Sequence, residues 1–326
     1  MKKVLASLLM LLILISISCT QDDRTPVMSG AYLGQEPPGL KPEIFAPGII
    51  STGMSEGSIV FTPDGRECFF NIELVIMHTR FENGQWEEPA VAHFSGKYID
   101  FAPAMHPDGS KFYFMSNRPL NDEADVSEYM NIWVTERSGD GWGEPKPIGP
   151  PINGAWEVDG PSLTRDGTLY FSKYVEGIGS KVMRSRLVDG KYQEPEKLPE
   201  NVNTAETFHT YISPDEKFLI MSVWGREDTL GSTDYYVSFR DENDNWTYAQ
   251  NLGALVNSDK VQSQPSISAD GKYFFFSGFP APFKSFDKSL TYAEIQEMYD
   301  SPGNGNSDIY WVDVRFIEQM NPKTNN

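Results

Sequence analysis

Five copies of one turn organise this chain. Thr62-Pro63-Asp64-Gly65 precedes the run Glu67-Cys68-Phe69-Phe70, and His106-Pro107-Asp108-Gly109 precedes Lys111-Phe112-Tyr113-Phe114. Thr164-Arg165-Asp166-Gly167 precedes Leu169-Tyr170-Phe171, and Ser213-Pro214-Asp215-Glu216 precedes Phe218-Leu219-Ile220. Ser268-Ala269-Asp270-Gly271 precedes Tyr273-Phe274-Phe275-Phe276. In such a turn proline presets φ, aspartate hydrogen-bonds the backbone beyond it, and glycine takes a positive φ. The aspartates stand at 64, 108, 166, 215 and 270, with spacings of 44, 58, 49 and 55.

A second turn follows, often with an aromatic residue and Glu-Pro. The copies are Asn83-Gly84-Gln85-Trp86, Asp140-Gly141-Trp142, Asp189-Gly190-Lys191-Tyr192 and Asp244-Asn245-Trp246. An alternating run such as Asn131-Ile132-Trp133-Val134-Thr135-Glu136 lies between the two turns. Each repeat therefore reads as four short antiparallel strands, a to d. The first turn joins a to b and the second joins c to d. Four-stranded units at this period are the pattern of β-propeller blades. With 27 Gly, 23 Pro, 20 Phe, 15 Tyr and 7 Trp, the composition also favours an all-β fold.

These turns resemble the PD40 family of WD40-like repeats, to which the propeller of TolB belongs. The resemblance spans residues 42–316 and implies a propeller; it does not fix a function. The fifth repeat supplies a, b and a strand c at Asp308–Val314, with no c–d hairpin after it. Lys41-Pro42-Glu43-Ile44-Phe45-Ala46 parallels the strand d that runs into other repeats. The prediction is a five-bladed β-propeller of four-stranded antiparallel blades, closed by an N-terminal strand that completes the last blade. Such closure removes exposed strand edges.

The residues before the propeller read as an address. Met1-Lys2-Lys3 is a positive start, and Val4–Ile17 is apolar or small, the length of a signal-peptide core. Ser18-Cys19 at its end resembles a bacterial lipoprotein cleavage site, with Ser16 where leucine is usual. The resemblance implies removal of residues 1–18 and lipidation of Cys19. Thr20-Gln21-Asp22-Asp23 resembles the export signal of Bacteroidetes lipoproteins. Residues 19–40 then form the lipidated cysteine and a flexible tether, 41–318 the propeller, and 319–326 a tail. The expected location is the outer membrane, facing the periplasm or the cell surface, with the lipid as the sole membrane contact. Cys68, in an apolar run, reads as a buried structural thiol.

Charge narrows the partners. Against 46 Asp and Glu the chain has 27 Lys and Arg, a formal net charge of −19. That excludes a basic footprint for nucleic acid. Four scattered histidines argue against a His-rich metal site. The turn Arg240–Asn245 copies the opening of a calcium loop, but Trp246 and Leu252 stand where glycine and a bidentate glutamate are needed.

In a propeller the d–a and b–c loops surround one mouth of the channel. The d–a loops bring Glu56, Asp100, Glu157 with Asp159, Glu206 with His209, and Gln262 with Gln264 to that mouth. The b–c loops add Asn117 and Arg118, Lys173 and Tyr174, and Trp224 with Arg226. Carboxylates beside Arg, Lys and aromatic rings suit a polyhydroxylated ligand. The same ring offers oxygen ligands to calcium as a cofactor; a merely solvated mouth is the alternative. The a–b turns, on the other face, read as scaffold. The long b–c segment of blade 5, about 279–307, carries an apolar run Phe279–Phe283 and a helix over Ser289–Tyr299. It is compatible with a lid, a partner contact or a plug.

The leading function is a monomeric binding or protein-interaction module for an envelope protein or a glycan. The alternative is a glycan-active enzyme using Asp100, Glu157, Asp159 or Glu206 as acid and base. The sialidase Asp-box, the Gly-x-Ser-x-Gly elbow and His-Glu-x-x-His are absent from the sequence.

Overall fold

The computed structural model describes residues 28–121, 124–278 and 286–322. The signal segment, Cys19, the acidic tetrad after it and the Phe279–Phe283 run lie outside the described residues. Five antiparallel sheets stand around one axis. In blade 1, strands a, b and c are Glu56–Phe61, Glu67–Ile72 and Val75–Glu82, with Ala90–Val91 as strand d. Blade 2 repeats this with Asp100–Met105, Lys111–Ser116, Asn131–Ser138 and Lys146–Pro147. Blade 3 uses Val158–Leu163, Leu169–Val175, Gly179–Ser185 and Glu196–Lys197. Blade 4 uses Glu206–Ile212, Phe218–Trp224, Thr233–Phe239 and Gln250–Asn251. Blade 5 has Ser266–Ile267, Tyr273–Gly278 and Asp308–Asp313.

The fourth strand of blade 5 is Glu43–Ile44, paired antiparallel with Glu43 opposite Trp311. Phe45, the next residue, is fully buried and packs edge-on against Phe275 and Trp311 at 5.1 and 5.0 Å. The two ends of the propeller are thus joined in blade 5 by a strand and an aromatic anchor.

The core is five clusters, one between each pair of neighbouring blades. Phe61, Phe70, Phe275 and Trp311 join blades 5 and 1; Phe69, Phe112, Phe114 and Trp133 join 1 and 2. Phe171, Leu169, Tyr113 and Met115 join 2 and 3. Tyr170, Val182, Met221 and Tyr236 join 3 and 4, and Tyr235, Val237, Phe274 and Val312 join 4 and 5. The alternation of strand b therefore serves two clusters at once. Phe69 faces blade 2 while Phe70 faces blade 5, as the period of two in a strand requires. Cys68 lies fully buried in the blade 5–1 cluster, where burial pushes its thiol well up.

The same brace recurs in every blade. The side chains of Ser95, Asn153, Asn203, Asn257 and Ser51 accept from the backbone N–H of Ile76, Ile132, Val182, Tyr235 and Ile309. The three asparagines also donate to the carbonyl of the same residue. Each side chain extends the outer ladder of strand c after strand d has ended, so buried backbone groups stay paired.

The inner strands face the axis as free edges. In blades 1 to 4 their pairing is broken by a register shift. In blades 2 to 5 a residue at that place has positive φ: Ala102 at 53°, Gly160 at 59°, His209 at 39° and Gln264 at 54°. Proline follows three of these, at Pro103, Pro161 and Pro265. Bulges and prolines blunt strand edges that would otherwise pair. At Gly160 a side chain is also excluded, since a Cβ there would lie 2.7 Å from the His209 Cα.

In the long segment of blade 5, Tyr292–Tyr299 is an α-helix. Thr291 and Glu294 form a reciprocal capping box at its start. None of its residues is buried. Asn304 and Asn306 tie the following loop to the Gly53 carbonyl, at 2.8 and 3.0 Å.

Candidate functional site

One position of the inner-strand repeat, two places before the positive-φ residue in blades 2 to 5 (Glu56, Asp100, Val158, Thr207 and Gln262), is at most 1% exposed. This position is a socket inside the blade that holds the d–a loop, and it does not open on the channel. Thr207 bonds Asn203, Gln262 donates to Ser258 and Glu56 accepts from Thr52. Asp100 accepts from Ser95 at 2.9 Å and from Arg118 through three contacts of 3.0 to 3.2 Å. Arg118 is itself buried, donates to the Phe94 carbonyl, and lies over the Phe114, Tyr98 and Trp133 rings. Asp100 and Arg118 thus form a closed pair. Burial, with the Asp308 charge nearby, pushes the Glu56 carboxyl up to about 7, and burial pushes Asp308 to about 6.

Other residues expected at the mouth are also engaged. Asn117 accepts from the Ile99 N–H, and Gln264 accepts from the Ser58 N–H at 3.3 Å across the blade 5–1 seam. Arg226 clamps Asp228 with two bonds of 2.8 Å, reaches the Ala249 carbonyl, and stacks on Tyr236 and Tyr248. Glu206 packs over Gly179, where a Cβ would meet its carboxyl carbon at 2.6 Å. Lys173 sits 3.8 Å above the Trp156 ring. Trp224 is half exposed at the end of strand b in blade 4.

Four of the expected residues come together. Glu157, Asp159, Tyr174 and His209 line one cavity of about 340 Å³ with Phe101, Val158, Ser172, Ser180 and Phe208. His209 Nδ1 is 3.0 Å from Asp159 Oδ2, at ion-pair distance but out of hydrogen-bond alignment. Asp159 Oδ1 and Ser172 Oγ are buried without a partner. Burial and the neighbouring Asp159 charge hold the Glu157 carboxyl above its ordinary value, against a bond from the Met130 N–H.

A larger cavity, about 600 Å³, occupies the axis on the opposite face. All five a–b turns and inner strands line it, together with Val314, Ile317, Glu318 and Asn321 after blade 5. The turns are scaffold and cavity rim at once. Met105, Leu163, Tyr211, Ile212, Phe218 and Ile267 give it apolar walls, while His106, Arg165, Asp215 and Lys217 stand among its polar groups. The sequence held one sign of this funnel. Ala102-Pro103, Gly160-Pro161 and Gln264-Pro265 mark where each inner strand turns its edge to the axis.

No set of three or more His, Cys, Asp or Glu among the described residues is placed to hold a metal. No helix among them is long and apolar enough to cross a membrane.

No protein-family model matches the sequence, and no curated protein matches it. Among solved structures, the chain is similar to a candidate TolB from Agrobacterium tumefaciens, at 11% identity and a TM-score of 0.48. That match covers 80% of this chain and 90% of the other. TolB from Acinetobacter baumannii is similar at 16% identity and 0.43, over 74% of this chain, which spans only half of that one. A thermostable family-43 glycoside hydrolase matches at 15% and 0.46, over 79% and 88% of the two chains. Likenesses at this level carry no function from one chain to the other.

Proposed function

We propose that this chain is a binding module of the bacterial envelope, tethered by a lipid on Cys19, that holds an extended segment of a partner protein in the axial funnel of its turn face. One observation carries the reading: all five blades contribute to a single open cavity with apolar walls and a charged rim. Specific interfaces have this anatomy, an apolar centre inside a polar rim. The PD40-like turns agree with it as analogy. Asp100, one of the four candidates of the enzyme alternative, is already paired with Arg118.

The test is a photo-crosslinking amino acid placed at Lys217, on the funnel rim, and at Glu88, on the blade edge, in living cells. The expected result is one protein adduct from position 217 and none from position 88. Ile267→Arg, which puts a charge on the funnel wall, should abolish the adduct. Equal adducts from both positions, or adducts that survive Ile267→Arg, would refute the funnel.

A second reading, a glycan-active enzyme, draws on Glu157 and Asp159 lining one pocket. Product analysis after incubating the full chain with oligosaccharides tests it. Cleavage lost in both Glu157→Gln and Asp159→Asn would establish it in place of the binding module.

A further inference from the structure

The pocket shared by blades 2, 3 and 4 lies at the other mouth and takes no part in the funnel reading. Its polar end holds two oxygen atoms, Asp159 Oδ1 and Ser172 Oγ, that are buried without partners. Ser172 is wholly buried, and it lies directly across the strand pair from Asp159. A buried polar atom left unpaired is costly, so both oxygens favour a ligand that bonds them. The walls are the Phe101 and Phe208 side chains, and the half-exposed Tyr174 ring stands beside them.

We propose that this pocket binds a neutral polyhydroxylated ligand, one sugar ring of a glycan. Its hydroxyls would bond Asp159 Oδ1 and Ser172 Oγ, and its apolar C–H face would pack on the aromatic walls. A carboxylate accepts from a hydroxyl, and a serine hydroxyl both donates and accepts. The cavity, about 340 Å³, falls within the range of about 300–1,000 Å³ typical of small-molecule sites. Three features favour a neutral ligand over a charged one. Two carboxyl groups disfavour an anion. The Asp159 Oδ2 atom already faces the His209 imidazole at 3.0 Å. Burial moves Glu157 toward its neutral form, which weakens attraction for a cation.

The experiment is saturation-transfer NMR and titration calorimetry on the full chain. The probes are the methyl glycosides of glucose, galactose, xylose and N-acetylglucosamine, with calcium chloride and ethylammonium as charged controls. The proposal expects at least one glycoside to receive saturation at its ring C–H protons. Asp159→Asn should weaken that glycoside about tenfold, the loss of one charge-assisted hydrogen bond. Ser172→Ala should weaken it less, with wild-type melting. Tyr174→Ala, at a half-exposed side chain, gives a second variant that leaves the core intact. Ile267→Arg should leave the glycoside bound, which separates this site from the funnel. Binding of none of the four glycosides would overturn the proposal. So would binding indifferent to all three pocket variants, or an Asp159-dependent site for calcium or ethylammonium alone.

Discussion

Asp100 shows how a residue with the marks of a catalyst can be structural. It is fully buried, and Arg118 spends its guanidinium on both carboxyl oxygens. Removing one member leaves the other charged and buried, which costs about 3–5 kcal/mol. Unfolding entropy is about 2.1 cal/mol/K per residue, so about 290 ordered residues carry roughly 0.6 kcal/mol/K. Arg118→Ala should therefore lower the apparent Tm by about 5–8 °C. Asp100→Asn should lie in the same direction. The double variant Asp100→Asn/Arg118→Met, with neither charge left, should recover part of the loss. Differential scanning calorimetry at pH 7 reads all three, with glycoside and partner binding measured alongside. An Asp100→Asn variant that melts like the wild type and loses binding would place Asp100 in a site instead. A double variant as unstable as the sum of the two singles would refute the closed pair.

Other consequences follow from the same structure. Asn203→Ala strips the Val182 N–H and C=O of their side-chain partner and should cost about 1–3 kcal/mol, read as a fall in melting temperature without loss of the sheet signal in circular dichroism. Phe45→Ala empties the aromatic anchor of the closure strand and should cost about 3–5 kcal/mol, with faster proteolytic cleavage before residue 46. Glu56 has a native pKa of about 7, above its unfolded value, so the native state binds the extra proton. Its contribution is most favourable below the unfolded pKa of about 4.3 and declines as pH rises through about 7. Glu56→Gln should therefore melt higher than wild type at pH 8, and the gap should close by pH 4.

The fold was legible because its signals are local and repeated. Pro63-Asp64-Gly65 and its four counterparts carry their turn chemistry in four residues, and their spacing sets the blade count. The closure strand was legible because Lys41–Ala46 copies the d strand of blade 3 while the fifth repeat lacks one. The candidate site was less legible because burial of a charge depends on partners distant in sequence. Asp100 is held by Arg118, 18 positions along the chain. Gln264 is held by Ser58, 206 positions away. Nothing in the residue types Glu56, Asp100 and Gln262 separates a socket from a channel mouth. Asp159 and His209 sit one and two places further along their repeats, and that small offset puts them in the pocket. The Asn and Ser braces do have a sequence sign: a buried apolar residue precedes each one, as in Ile152-Asn153, Val202-Asn203 and Val256-Asn257. It is visible once the five blades are aligned on their structure.

Partner binding in the funnel of the turn face is the proposal with the widest consequences. Hydrogen–deuterium exchange of the full chain tests it most directly, with and without the protein captured from position 217. A partner in the funnel should slow exchange at the turns around Asp64, Asp108, Asp166, Asp215 and Asp270 and leave the loops before the inner strands unchanged. Protection confined to the loops around Glu157 and Glu206, with the five turns exchanging freely, would contradict it.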